Sequence, residues 1–172
     1  MIRQQGLTLV ECLITLAVVA ILAAMVTPSL SGQLNAARAL TGARQIYLAA
    51  QYARSMAQIL ETTVTLCPLS ATTDAGRLCG GDFSGALVAY RGSTDGPAIL
   101  RVWTPPSGIV VRNRSGLDAV TGEIRWHADG FGQRNLTLSV CAGGHNWTVF
   151  INRLGRPRLA KAGGPCPETG TV

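Results

Sequence analysis

The chain has 172 residues, a formal net charge of +6 at pH 7 and a sequence pI near 9.6. About 140 residues lie beyond an N-terminal apolar run, which is enough for one domain with a single core and too few for several. The positive balance favours anionic partners without identifying one. Every basic residue except Lys161 is an arginine, whose planar guanidinium group suits phosphate, although a biased genomic base composition would give the same pattern.

The apolar run extends from Leu7 to Val26 and stops at Thr27-Pro28. At a helical rise of about 1.5 Å per residue, it spans roughly 30 Å, the thickness of a bilayer core. Glu11 lies inside the run, where burial in lipid would cost about 2.5–3.5 kcal/mol, so we expect it to have a partner. An ordinary secretory signal cleaved near Ala23-Ala24 is one interpretation. The run exceeds the roughly 7–15 apolar residues of such signals, which argues against it.

Gly6, Leu7 and Glu11 resemble the processing site of type IV pilins and pseudopilins. The resemblance implies that a prepilin peptidase cleaves after Gly6 and that the new N-terminus, Leu7, is methylated. It also implies that Glu11 assists assembly by meeting the amino group of Leu7 on a neighbouring subunit, which would offset its burial cost. The family usually has phenylalanine where this chain has Leu7. Loss of the leader, residues 1–6, would leave side-chain charges of 14 − 9 = +5.

The resemblance also predicts one long N-terminal helix, with residues 7–28 in the inner membrane or filament core and 29–60 as an amphipathic helix of the globular domain. Pro28 lies where many pilins carry a helix-kinking proline, and Ser31 or Asn35 is a candidate cap for a restart. Gly42 is an expected weak point, costing about 1 kcal/mol relative to alanine. The predicted apolar stripe comprises Leu34, Ala37, Leu40, Tyr47, Ala50, Ala53, Ala57 and Leu60.

Beyond Glu61 the sequence changes to short β-type runs separated by turn residues, which predicts a β-rich domain over 61–172 and an α+β fold with antiparallel strands. The tryptophans at positions 103, 126 and 147 are interpreted as core or cross-strand residues rather than base-stacking platforms. The predicted strands are Thr63–Leu66, Ala86–Arg91, Ile99–Trp103, Ile109–Arg112, Glu123–His127, Leu136–Cys141, Thr148–Asn152 and Arg158–Ala160.

Four of the five cysteines lie in the portion that a pilin would expose to an oxidising periplasm, and Cys12 in the apolar run is expected to be a small buried hydrophobe. Four cysteines allow three connectivities. We favour Cys67–Cys79, which closes a local loop, and Cys141–Cys166, which fixes the tail. A zinc site is the alternative, but the sequence has no C-x-x-C pair and neither histidine has ligand spacing. No metal or cofactor is expected.

The segment from Arg153 to Lys161 holds four cations, Arg153, Arg156, Arg158 and Lys161, and no acid follows until Glu168. Residues 153–156 are predicted to form a hairpin turn, with Gly155 at positive φ and Pro157 fixing the exit. Residues two apart on a strand point the same way, so the guanidinium groups of Arg156 and Arg158 should share one side. No aromatic residue interleaves the cluster, and the simplest interpretation is a solvated turn.

The C-terminal half, from Ile124 to Arg158, resembles the GspH/FimT branch of the pilin family, and Gly155-Arg156-Pro157-Arg158 matches a Gly-Arg-x-Arg motif with which FimT-type pilins bind DNA during natural transformation. The resemblance predicts a minor pilin that binds DNA phosphates without sequence preference through Arg153, Arg156, Arg158 and Lys161. Arg112, Arg114 and Arg134 are candidate extensions of this patch. The expected partners are DNA, other pilins, the prepilin peptidase and the inner membrane. The protein is expected to span the inner membrane once, with its C-terminal domain in the periplasm, and then to enter a pilus at the cell surface.

Two alternatives remain open at this level. Gly-Arg pairs also occur in GspH-type secretion pseudopilins, so the protein could build or prime a filament without touching DNA. A secreted, disulfide-linked enzyme with a conventional signal peptide is the other. The sequence contains no H-E-x-x-H, G-x-S-x-G, Walker or dinucleotide motif, and the acids Asp118, Glu123 and Asp129 occupy ordinary turn and strand-end positions. We therefore expect no enzymatic activity.

Overall fold

A computed structural model describes residues 8–70, 78–92, 96–161 and 166, with the backbone alone described at 25–29. The chain divides into two compact units, Met1–Leu34 and Asn35–Val172. Helix α1 (Leu9–Ile59) begins in the first unit and ends in the second without interruption at Pro28. The expected restart at Ser31 or Asn35 is therefore wrong, because one proline removes a single backbone donor without necessarily ending a helix.

In the first unit, every side chain described from Thr8 to Ala24 is exposed. Cys12 is the free cysteine and is exposed as well, contrary to the expectation of burial, because a single helix cannot cover its own side chains. Within the described residues, no helix is both long and apolar enough to cross a membrane. The single-pass span proposed for 7–28 is thus not confirmed and stays a prediction.

The second unit combines the remainder of α1 with two four-stranded antiparallel sheets, so the α+β prediction is confirmed. All eight predicted strands are present, with ends shifted by up to three residues. The first sheet has the order β3-β2-β1-β5 and the second the order β4-β6-β7-β8. The strands are β1 (Val64–Pro68), β2 (Leu87–Arg91), β3 (Ala98–Trp103), β4 (Val110–Arg112), β5 (Ile124–Trp126), β6 (Leu136–Ala142), β7 (His145–Ile151) and β8 (Pro157–Ala160).

The helix face that enters the core differs from the predicted stripe. Ala50, Ala53 and Ala57 are buried as expected, but Leu34 and Ala37 are exposed. The buried face is built mainly of small residues, and it joins both sheets in one hydrophobic cluster. Bulky residues would hold the helix axis away from the sheets, so alanines allow closer packing at the core. The additional buried helix positions are Ala39, Gly42, Ala43, Ile46 and Ala49.

Gly42 is a packing position in this core. A Cβ atom there would lie 2.8 Å from Ile109 Cδ1 and 3.3 Å from Val140 Cγ1, which is closer than ordinary van der Waals contact. The absence of a side chain lets α1 approach the second sheet, to which Val140 belongs. The expected cost in helix propensity is therefore offset by contacts that an alanine would disturb.

Both expected disulfides are present, Cys67–Cys79 and Cys141–Cys166, with a Cα–Cα distance of 5.7 Å in each. The first closes a loop beside a small cluster formed by Cys67, Val88 and Tyr90. The second ties Cys166 to β6, and the sulfur of Cys166 lies 3.6 Å from the carbonyl oxygen of His145. Pairing of all four cysteines removes the zinc alternative, because a disulfide sulfur is not the thiolate that zinc binds.

Candidate nucleic-acid interface

The basic segment forms a β-hairpin at one end of the second sheet. Residues 152–156 join β7 to β8, and we call them the basic loop. Gly155 has φ +72°, and its amide donates to the carbonyl of Asn152 at 2.9 Å. The Asn152 side chain accepts a hydrogen bond from the amide of Arg156 at 3.1 Å. Asn152 therefore closes the loop from both its backbone and its side chain, and the predicted turn with a left-handed Gly155 is confirmed.

A second loop, residues 127–132, is hydrogen-bonded to the basic loop, and we call it the supporting loop. The amide of Gly132 donates to the carbonyl of Arg153 at 2.9 Å. Trp126, which is fully buried, donates from Nε1 to the carbonyl of Gly155 at 3.0 Å. Arg54 on α1 donates from Nε to the carbonyl of Gly130 at 3.1 Å. These bonds link the basic loop through its neighbour to both the core and the helix, so little ordering remains to be done when a ligand binds.

The four cations of the segment do not form one compact cluster. Arg153 and Arg156 are exposed on the loop, and Arg158 is exposed on β8. Arg158 alternates with Pro157 and Leu159, and Leu159 packs against the core, so Arg158 points away from it. Asn135 and Asn152 accept hydrogen bonds from the backbone amides of Arg153 and Arg156, but in the described part of the chain no ion pair or hydrogen bond engages the guanidinium groups of these three arginines. Their charge is therefore available to an external anion.

Lys161 lies beyond the opposite end of β8, about five residues and therefore roughly 16 Å along the chain from Arg156. It lines a groove of about 250 Å³ between α1 and the start of β7, on the side of the sheet that faces the helix. The groove is formed by Ala36, Ala37, Leu40, His145, Asn146, Trp147 and Lys161. The prediction grouped Lys161 with the arginines because it is close to them in the sequence. In the structure, β8 separates Lys161 from the basic loop.

The candidate extensions of the patch have different surroundings. Arg112 on β4 pairs with Ser139 in the register of the second sheet, and its neighbour Val111 is buried in the core, so Arg112 lies on the same face as Arg158. Arg134 instead reaches back to the carbonyls of Thr121 and Glu123, at 3.5 and 3.4 Å. Arg114 is exposed in the loop that follows β4. Arg112 lies on the opposite edge strand from Arg158, in the row of Ser139, Thr148 and Ala160, so it shares the face without adjoining the patch.

Acidic groups near the interface are few. In the described part of the chain, the ion pair that forms is Arg125–Glu123 at 2.7 Å, on the first sheet. Asp129, in the supporting loop, accepts a hydrogen bond from the amide of Phe131 at 2.9 Å. Burial raises the pKa of Tyr90, with a further contribution from Glu123, but Tyr90 lies on β2 in the first sheet. Asp129 thus lies in a loop that is hydrogen-bonded to the basic loop.

Sequence reasoning missed two exposed aromatic rings beside the arginines. Phe150 on β7 lies directly opposite Arg158 on β8 and Thr137 on β6, and its side chain is 37% exposed. Phe131 follows the hydrogen-bonded Asp129 in the supporting loop and is 48% exposed. Neither lies inside the segment 153–161. The pairing register of β7 with β8 is the signal that would have revealed Phe150, because alternation places it on the face of Arg158.

At the N-terminus, Gly6 and Leu7 lie outside the described residues, so their processing stays a prediction. Glu11 lies in the first turn of α1, where its amide donates to Thr8 Oγ1 at 3.4 Å. Thr8 and Glu11 have the spacing of a capping box, and an acid in the first turn also interacts favourably with the helix dipole. Glu11 therefore has a local structural role in addition to the assembly role that the resemblance implies.

An N-terminal helix that packs on antiparallel sheets, combined with disulfides and a basic hairpin, defines a pilin-like protein. The profile of the family "Type II transport protein GspH" matches residues 42–155, and the profile of the "Prokaryotic N-terminal methylation motif" matches residues 1–27. The first match covers more than half of the chain. The protein belongs to the GspH family of type IV pilins and pseudopilins, and its first 27 residues match the methylation motif.

Solved structures show the same fold. The type IV minor pilin FimU of Pseudomonas aeruginosa is 19% identical with a TM-score of 0.54, and the match covers 70% of this chain and 91% of FimU. The minor pseudopilin EpsH from the type 2 secretion system of Vibrio cholerae is 14% identical with a TM-score of 0.53, covering 73% of this chain and 98% of EpsH. No curated protein matches the sequence. Family membership implies association with other pilins in a filament.

Proposed function

We propose that this protein is a minor type IV pilin that captures DNA without sequence preference during DNA uptake. The observation that carries the proposal is the hairpin formed by the basic loop and β8: Arg153, Arg156 and Arg158 are exposed, their guanidinium groups lack acidic partners in the described structure, and the loop rests on a hydrogen-bonded support. An arrangement of fixed guanidinium groups suits phosphate oxygens, and backbone contacts of this kind carry no sequence information. Lys161, at the far end of β8, contributes less than the arginines.

The proposal includes the steps that bring the domain to the cell surface. A prepilin peptidase cleaves after Gly6, Leu7 is methylated, and the apolar part of α1 anchors the protein as a single-pass protein of the inner membrane. Glu11 then pairs with the amino group of Leu7 on a neighbouring pilin. N-terminal sequencing of the mature protein tests this route: a chain that starts at Leu7 supports it, whereas a start near Met25 indicates a conventional signal peptide.

A structural role is the second candidate. The fold resembles EpsH, described as a minor pseudopilin of a secretion system, as closely as it resembles FimU. Gly155 also has a purely structural explanation in its positive φ and its contact with Trp126. A filament subunit that primes assembly would need the same hairpin without any ligand. DNA binding by the isolated protein separates the two candidates.

The experiment is a mobility shift of a duplex with the full chain in non-ionic detergent. Three neutralised phosphates predict a log–log salt slope of about −3, and Arg156→Gln/Arg158→Gln should lower its magnitude by about 2 while weakening binding strongly. The matched control is Arg44→Gln/Arg91→Gln, which removes the same charge from exposed sites outside the hairpin. Equal binding by the folded hairpin variant and the wild type would contradict the proposal and favour the structural role.

A further inference from the structure

The hairpin presents an aromatic ring next to its arginines. Phe150 stands between Arg158 and Thr137 across three neighbouring strands, and the alternation of β7 turns it away from the core that holds Val149 and Ile151. Side chains directly opposite on antiparallel strands have Cβ atoms about 4.5–5.5 Å apart. A flat apolar surface and a guanidinium group therefore lie side by side on the outer face of the second sheet.

None of the aromatic or cation–π contacts within the described residues involves Phe150. In the described part of the chain, cation–π contacts involve Arg101, which lies over the rings of Tyr52 and Trp103 at 5.7 and 5.4 Å. The aromatic pair found there is Tyr52 with Trp103. Single exposed apolar residues are common on protein surfaces. Phe150 differs from such isolated residues in two respects. It shares a face of the sheet with Arg158, and a second exposed ring, Phe131, lies in the loop that is hydrogen-bonded to the basic loop.

Duplex DNA offers an aromatic ring few contacts, because its bases are stacked inside the helix and only phosphates and groove edges are accessible. Single-stranded DNA exposes both phosphates and unstacked bases. Proteins that bind it combine a positively charged track with aromatic side chains on which bases stack, and this stacking tolerates any sequence. Phe150 and Arg158 on one face of the sheet, with Arg156 exposed in the adjoining basic loop, provide both elements.

We propose that the hairpin binds single-stranded DNA, with a base stacked on Phe150 while Arg156 and Arg158 bind the flanking phosphates. This inference rests on the proposed DNA-binding function and adds the form of DNA that the site prefers. Phe150 has no acidic neighbour in its row of the sheet, since Arg158 and Thr137 flank it. Phe131 follows Asp129, whose carboxylate repels phosphate, so Phe131 has the secondary role.

The test compares two fluorescently labelled probes, a 20-nucleotide oligothymidylate and a 20-base-pair duplex, titrated with the full chain in non-ionic detergent at low salt. Phe150→Ala should weaken binding of the oligothymidylate by about 5- to 150-fold, the range expected for one stacked base, and change duplex binding less than twofold. Phe150→Tyr keeps a stacking ring and should retain most of the affinity. Leu154→Ala is the matched control, because it removes another exposed apolar side chain, 51% exposed, from the adjoining basic loop.

An abasic 20-mer, which carries phosphates without bases, completes the design. Its binding should be insensitive to Phe150→Ala and sensitive to Arg156→Gln/Arg158→Gln. If Phe150→Ala leaves oligothymidylate binding unchanged while the arginine variant abolishes it, phosphate contacts alone suffice and the stacking inference is overturned, with the proposed function intact. If the wild type binds neither DNA probe, the proposed function itself fails. An equal loss for both DNA probes in Phe150→Ala also overturns the inference, because it reports a disturbed hairpin.

Discussion

Gly155 is constrained both by its backbone conformation and by the atoms that surround it. Its φ of +72° disfavours any residue with a Cβ, and a Cβ at this position would meet the carbonyl oxygen of Gly130 and lie 2.9 Å from Trp126 Cδ1. The sequence predicted the positive φ from the turn pattern. It gave no indication that the supporting loop and a buried tryptophan close the space around the glycine, because those neighbours come from 25 or more residues away.

Gly155→Ala should therefore destabilise the second unit by about 2–5 kcal/mol, the sum of the left-handed backbone cost and of overpacking. Gly144→Ala is the matched control, since Gly144 has φ +83° but no atom within 4 Å of the added Cβ. It should lose only about 1–2 kcal/mol. Urea unfolding followed by tryptophan fluorescence measures both, and equal losses for the two variants would refute the close packing at Gly155.

At the scale of elements, α1 illustrates why an apolar stripe does not identify the buried face of a helix. Leu34 is about half exposed, whereas Ala39, Ala43 and Ile46 are fully buried. The helix packs with small residues inward because the two sheets approach it closely. Larger side chains at its edges are only half-buried, as Leu40 and Tyr47 are. Period and composition predicted the helix, but the distance to the sheets determined its orientation.

Gly42 provides a test of that close approach. Gly42→Ala would gain about 1 kcal/mol from helix propensity, but its Cβ would press on Ile109 Cδ1, and overpacking costs about 1–3 kcal/mol. We expect a net loss of about 1 kcal/mol. Ile109→Val removes the clashing methyl group, so the double variant should be more stable than the sum of the single effects predicts. Additive single and double effects in urea unfolding would show that the helix and Ile109 are not in tight contact.

At the scale of the whole molecule, the two disulfides cross-link residues that are distant along the chain. Cys67–Cys79 spans 12 residues beside a small satellite cluster, and Cys141–Cys166 spans 25 residues and attaches the C-terminal region to β6. Both bonds belong to the second unit. Their presence agrees with folding in an oxidising compartment.

Cys141→Ser/Cys166→Ser should lower the free energy of unfolding by about 3–4 kcal/mol, because opening a loop of this length restores chain entropy to the unfolded state. Urea unfolding of the oxidised proteins measures the loss. Fully reduced wild type is the control and should lose more, since it lacks both disulfides. A variant as stable as the oxidised wild type would show that the bond between β6 and the C-terminal region does not constrain the unfolded chain.

The sequence by itself predicted much of the local structure: the eight strands and the turn at Gly155 follow from residue patterns, and the favoured pairing of the four cysteines beyond the apolar run is the one observed. Family membership could also be recognised from the sequence, because the processing motif and the C-terminal half are each a continuous stretch of the chain. The tertiary structure alone decided which residues meet. It separated Lys161 from Arg156 by a strand, turned an alanine face of α1 inward, and brought Phe150 beside Arg158. Those outcomes depend on strand register and on the distance between layers, which no local pattern of residues encodes.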